Sequence, residues 1–126
     1  LAARYRELLA RIPGIGLPEE PAWARSNWQS FVIRLPSGVE QQRVMQSMLE
    51  AGVATRRGVM CSHREPAYPA GSWRCGNGSC AGARCACLIE SEQAQDQCII
   101  LPLYTQMSSE QQDAVVAALD AALASA

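Results

Sequence analysis

Apolar residues recur at helical spacing near both ends of the chain and alternate along a short stretch between them. In residues 1–11, LAARYRELLAR, the side chains of Leu1, Tyr5, Leu8 and Leu9 share one stripe, which predicts a helix ended by Ile12-Pro13-Gly14. The following IGLPEEPAWARS carries two prolines and no period, so residues 13–27 read as a connector. In residues 28–35, WQSFVIRL, Phe31, Ile33 and Leu35 fall on one face of a predicted strand, Ser30 and Arg34 on the other, and Pro36 closes it.

Ser37 and Glu40 match the S-x-x-E capping box, which satisfies two orphan amides at a helix start. The predicted helix carries Val44, Met45, Met48 and Leu49 on its apolar stripe and stops at Gly52, a residue suited to a left-handed cap. VATRRGV is a short strand candidate, and residues 62–97 are polar and rich in Gly and Cys, with no convincing element before Ser91. CIILPLY (98–104) reads as a buried strand interrupted by Pro102, the mark of an edge or a strand end. Ser108 with Gln111 forms a second capping box, opening a helix with Val115, Val116, Leu119, Ala122 and Leu123 facing inward.

The pattern predicts an α/β chain: an α+β sandwich with a small, mainly antiparallel sheet and two main helices on one face. Phe31, Ile33, Val44, Met48, Leu101, Val115, Leu119 and Leu123 are expected in one core, in a domain that folds alone.

Composition narrows the chemistry. With 126 residues, 48% of them apolar, and a formal charge of −1, the chain has one domain's worth of core and no nucleic-acid footprint. No apolar run approaches the ~20 residues that cross a bilayer. All eleven basic residues are Arg, so no lysine amine is present to act as a nucleophile or form a Schiff base. The first residue, Leu1, opens in the middle of a helical pattern, which we read as a piece of a longer protein.

Few residues advertise a reaction. His63, the single histidine, sits in CSHREPAY, where a loop imidazole is either a solvated or hydrogen-bonded side chain or a ligand contact. Arg56-Arg57 can clamp a phosphate or carboxylate, or can be an exposed pair at a strand end. There is no carboxylate pair at catalytic spacing, no glycine-rich phosphate loop after a strand, and no Ser-His-Asp arrangement.

Four stretches in order carry a resemblance. NWQSFVIRL is similar to a first small-domain strand, and MQSMLEAGVATRRG to a helix and its following turn. CSHREPAY resembles an H-x-x-P-x-Y loop through His63, Pro66 and Tyr68. SEQAQDQCIILPLYTQMSSEQQDAVVAAL resembles an S-E … L-P-L-Y … M-S ending through Ser91, Glu92, Leu101, Pro102, Leu103, Tyr104, Met107 and Ser108. Together they resemble the C-terminal small domain of the DegT/DnrJ/EryC1/StrS sugar aminotransferases.

That resemblance implies the small domain of a fold-type-I, pyridoxal-phosphate-dependent enzyme that aminates keto-sugar nucleotides. Residues 1–12 would end the interdomain helix, and 28–126 would be the small domain, with a Cys-rich insertion at about 69–90. The Schiff-base lysine and most phosphate contacts belong to the large domain, so this chain would be an inactive, substrate-side piece. Its partners would be its own large domain and a sugar nucleotide, in the cytoplasm, with a homodimer through residues 1–12 open to it. Arg56, Arg57 and His63 are the positions carried over to the substrate. Gln29 departs from the histidine that many relatives have in the first strand. The competing reading is a free-standing binding module with the Cys-rich loop as its contact surface.

Cys75, Cys80, Cys85 and Cys87 crowd into WRCGNGSCAGARCAC. Three states are open to them: a zinc site, reduced thiols, or disulfides that also use Cys61 and Cys98. The spacing is not a repeated C-x2-C pair, and the single residue between Cys85 and Cys87 keeps both sulfurs from reaching one ion easily, though all four remain the candidate ligands.

Overall fold

The computed structural model describes residues 1–69, 71–76 and 85–126. Its elements run α1 (Ala2–Leu9), β1 (Phe31–Arg34), α2 (Gln41–Glu50), β2 (Arg56–Arg57), α3 (Ile89–Gln97), β3 (Cys98–Leu101) and α4 (Ser109–Ala124). The three strands form an antiparallel sheet in the order β1-β3-β2. No described helix is long and apolar enough to cross a membrane.

Register puts the apolar sets face to face. Phe31 pairs with Leu101 and Ile33 with Ile99, so all four project from one side of the sheet. All four are buried, together with Tyr5 and Leu9 of α1, Val44 and Met48 of α2, and Val115, Leu119 and Ala122 of α4. Burying each of the larger side chains contributes about 1.5–3 kcal/mol. Seven of the eight expected core residues lie in this single cluster, and Leu123 packs partly buried against it. On the opposite face, Val32 and Ile100 are only partly covered.

The departures from the sequence pattern have local causes. The first strand begins at Phe31, because Trp28 holds a left-handed backbone (φ 53°). Ser26 Oγ accepts from Trp28 N–H, and Asn27 Oδ1 from Gln29 N–H, so a polar turn replaces the expected ladder. The Ser37 capping box does not form: Gly38 turns the chain at φ 85°, and α2 starts only at Gln41, with Glu40 as its N-cap and no side-chain cap bond. The Ser108–Gln111 box does form, with both reciprocal bonds. At the end of α2, Gly52 is left-handed as expected; Val53 N–H reaches Met48 C=O (2.8 Å) and Gly52 N–H reaches Leu49 C=O (2.9 Å), a Schellman closure.

β3 is the central strand, and Pro102 marks its end rather than a sheet edge. Gly58 leaves β2 so close to β3 that an added Cβ would lie 2.7 Å from Cys98 Cβ. Tyr5 and Leu9 are wholly buried within this chain's own core, so the stripe of α1 is covered by the chain itself, leaving Leu1 46% exposed.

Candidate functional site

α3 is the element the periodicity missed, and it organises the polar centre of the molecule. Its inward residues are Glu92 and Gln95, so it has no apolar stripe to announce it. Gln95 Oε1 accepts from Cys61 N–H (2.9 Å), and Gln95 C=O accepts from Gln41 Nε2 (2.9 Å). The same Gln41 amide donates to Cys98 C=O (2.7 Å), so one buried side chain joins the start of α2 to the α3–β3 junction. These bonds fix the loop that follows β2 against α3.

On that loop a 3-10 turn, Ser62–Arg64, presents two side chains to Glu92. His63 Nε2–H donates to Glu92 Oε1 at 2.8 Å, with both side chains under a tenth exposed. Arg64 forks across two acids: Nη2 to Glu92 Oε2 (3.1 Å) and Nη1 to Asp96 Oδ1 (2.7 Å). Glu92 also accepts from Cys85 N–H, which ties the far end of the Cys-rich segment to the same carboxylate. Burial opposes the charge on Glu92, but the bonds from His63 and Cys85 and the Arg64 charge outweigh it and hold its carboxyl below the usual range. Burial likewise works against the charge on Arg64, and Asp96 and Glu92 overcome it. Cys61 is pushed up by burial and stays a thiol, lying 3.2 Å from Ser91 C=O.

Beside this network lies a mostly apolar cavity of about 490 Å³ lined by Val59, Met60, His63, Tyr68, Trp73 and Leu88, among others. Trp73 meets the His63 ring edge-on at 5.2 Å between centroids. The imidazole is therefore a fixed, carboxylate-oriented wall of a concave site rather than a loose loop side chain.

Arg56 and Arg57 stand elsewhere. They pair with Ile100 and Ile99, so successive side chains leave opposite faces of β2, and both are exposed. Arg57 lines a separate cavity with Glu40, Gln95 and Asp96. The three positions expected to meet substrate thus do not converge on one described cavity. Arg64 and Glu92, which do converge with His63, were not singled out as site residues. The signal available was the H-R pair in CSHREPAY facing the S-E pair of the later motif.

The sulfurs of Cys75, Cys85 and Cys87 lie within 4.8 Å of one another; Cys80 lies outside the described residues. Among the described residues no two cysteines are bridged, and the Cys61 thiol lies against Ser91 C=O.

The three-stranded antiparallel sheet with helices packed on one face is the fold of the small domain of fold-type-I aminotransferases. The model of the DegT/DnrJ/EryC1/StrS aminotransferase family matches residues 1–120, and the chain belongs to that family. It is 32% identical over 127 residues to the "Erythromycin biosynthesis sensory transduction protein EryC1" of Saccharopolyspora erythraea, covering 96% of this chain and 30% of that protein. Among solved structures it is similar to the aminotransferase TlmJ from Streptoalloteichus hindustanus, at 23% identity and a TM-score of 0.76, over 98% of this chain and 30% of that one. DesV of S. venezuelae is similar at 24% identity and a TM-score of 0.73, over 95% and 29% of the two chains. The chain therefore spans about 30% of the length of these relatives. A Streptococcus pneumoniae neighbour, with a TM-score of 0.70, was solved in a PLP form.

The residues present here do not fit pyridoxal phosphate. The cofactor is held through a lysine and a partner for its pyridine nitrogen, whereas this chain has no lysine and its cavity is lined largely by apolar side chains.

Proposed function

We propose that this chain is the substrate-side C-terminal domain of a sugar aminotransferase and does no amino transfer alone. The observation that carries the reading is the match of residues 1–120 to an aminotransferase family by a chain that contains no lysine. The amine chemistry must then come from another part of the protein, a large domain holding PLP. This chain's share is to bind and orient the acceptor, a keto-sugar nucleotide.

His63 is the residue best prepared for that work. Its ring is immobilised by Glu92 and Trp73, so a hydrogen bond to a sugar hydroxyl would cost little further ordering. Tyr68 and Trp73 give flat apolar surface for a sugar ring in the same cavity. Arg56 and Arg57 are exposed guanidinium groups on β2 suited to a diphosphate, one on each face of the strand. Exposed Met60, Tyr68 and Leu88 at the cavity rim are consistent with a surface that the large domain covers.

Expression of the complete reading frame that contains this chain tests the proposal. The full product is expected to move an amino group from an amino-acid donor to a keto-sugar nucleotide, whereas the 126-residue chain with added PLP is inactive. Turnover by the short chain, or a complete frame without a lysine-bearing aminotransferase domain, would overturn it.

A further inference from the structure

The cysteine cluster meets the network just described at Cys85, whose N–H donates to Glu92. Cys75 lies two residues after Trp73, whose ring packs on His63. Cys85 and Cys87 flank the first residue of a 3-10 turn, Ala86–Leu88. Cys85 has an extended backbone (φ −133°, ψ 114°) and the chain turns immediately after it. That turn is why one intervening residue does not separate the two sulfurs, as the spacing alone had argued. Cys85 is buried, its N–H held by Glu92; Cys75 is half-buried and Cys87 exposed.

We infer that Cys75, Cys85 and Cys87 form a structural zinc site. A zinc ion bound at Zn–S ≈ 2.3 Å with tetrahedral angles holds its sulfurs roughly 3.8 Å apart. Here all three sulfurs lie within 4.8 Å of one another, with Cys75 and Cys87 at 2.9 Å, so small side-chain rotations suffice to seat one ion. A disulfide joins two sulfurs at about 2.05 Å, whereas Cys75 and Cys87 stand at 2.9 Å. Convergence of three is what an ion requires. Three soft donors select a thiophilic d10 ion over magnesium or calcium, which take oxygen ligands. They leave one tetrahedral position for another ligand.

The site would act on shape rather than chemistry. Binding ties residue 75 to residues 85–87 and so braces the Trp73–Leu88 side of the cavity. Each thiol that binds gives up its proton, so occupancy falls with acid.

The test uses the unmutated 126-residue chain first, purified under reducing conditions without added metal, with zinc counted against protein. One zinc per chain is expected. Replacement by Co2+ at one equivalent should give the visible bands of tetrahedral cobalt with sulfur-to-metal charge transfer, and should quench Trp73 emission. Cys75→Ser, Cys85→Ser and Cys87→Ser should each weaken zinc binding by more than the ~10–100-fold lost with an outer-shell partner. Cys98→Ser should bind as before. Metal-free protein showing no cobalt–thiolate band overturns the site, as does a Cys75–Cys87 disulfide that persists in reductant, or full zinc retention by Cys85→Ser. The cobalt titration of the unmutated chain decides the matter even where a variant fails to fold.

Discussion

His63 and Glu92, separated by 29 positions in sequence, meet at 2.8 Å, with His63 Nε2–H donating to a carboxylate that also takes Arg64 and the Cys85 amide. One acid thus holds the 3-10 turn, the end of the Cys-rich segment and α3 together. Glu92→Gln should loosen all three while leaving the core intact, read as faster proteolysis and amide exchange confined to residues 61–69 and 85–92. Unchanged protection there would show that the carboxylate is dispensable. The pH dependence has a definite sign. The folded carboxyl lies below its ordinary value of about 4.3, so its contribution is complete above that value and is lost as pH falls through the folded one. The stability gap between the unmutated chain and Glu92→Gln should therefore narrow in acid.

Tyr5 makes a different kind of long-range bond, its hydroxyl donating to Pro102 C=O at 2.8 Å from the floor of the core. Tyr5→Phe keeps the ring contact with Phe31 and should cost about 1 kcal/mol in a urea melt, mainly by orphaning that carbonyl. Burial, with Tyr104 nearby, pushes the Tyr5 phenol up. The neutral form is thus favoured by folding, and stability should be lost as pH rises beyond the ordinary phenol value of about 10. The Tyr5→Phe variant should lose less over the same interval.

Gly58 is required by proximity rather than by backbone angle. In Gly58→Ala the new methyl would lie 2.7 Å from Cys98 Cβ and 2.9 Å from Val32 Cγ1. Relief requires β2 to move off β3, at a cost of about 1–3 kcal/mol, and should move Arg56 and Arg57 with it. A variant with unperturbed stability would mean that the two strands separate freely.

The two capping-box sequences offer a paired comparison. Ser108→Ala should destabilise by about 1 kcal/mol, since its Oγ accepts from Gln111 N–H at the start of α4. Ser37→Ala should stay within about 0.5 kcal/mol, since Ser37 is exposed and precedes α2 without capping it. Equal losses in thermal melts would contradict this difference.

The sequence by itself determined that three helices lie near residues 1–11, after Ser37 and after Ser108, the apolar face of the first strand, and seven residues of the buried cluster. It could do so because each of these elements shows its period to the core, at 3.6 for Met48 or Leu119 and 2 for Phe31 and Ile33. Tertiary structure alone decided what the polar middle of the chain does. α3 buries Glu92 and Gln95, so its inward face carries hydrogen bonds instead of hydrophobicity, and no periodicity can reveal it. The central place of β3 comes from pairing with strands on both sides, while its own residues spoke only of burial and of the stop at Pro102. The same holds for the cysteines. Spacing argued against Cys85 and Cys87 sharing a centre, but a turn at Ala86, fixed from outside by Glu92, sets their direction, and direction in space is a property that residue spacing does not contain.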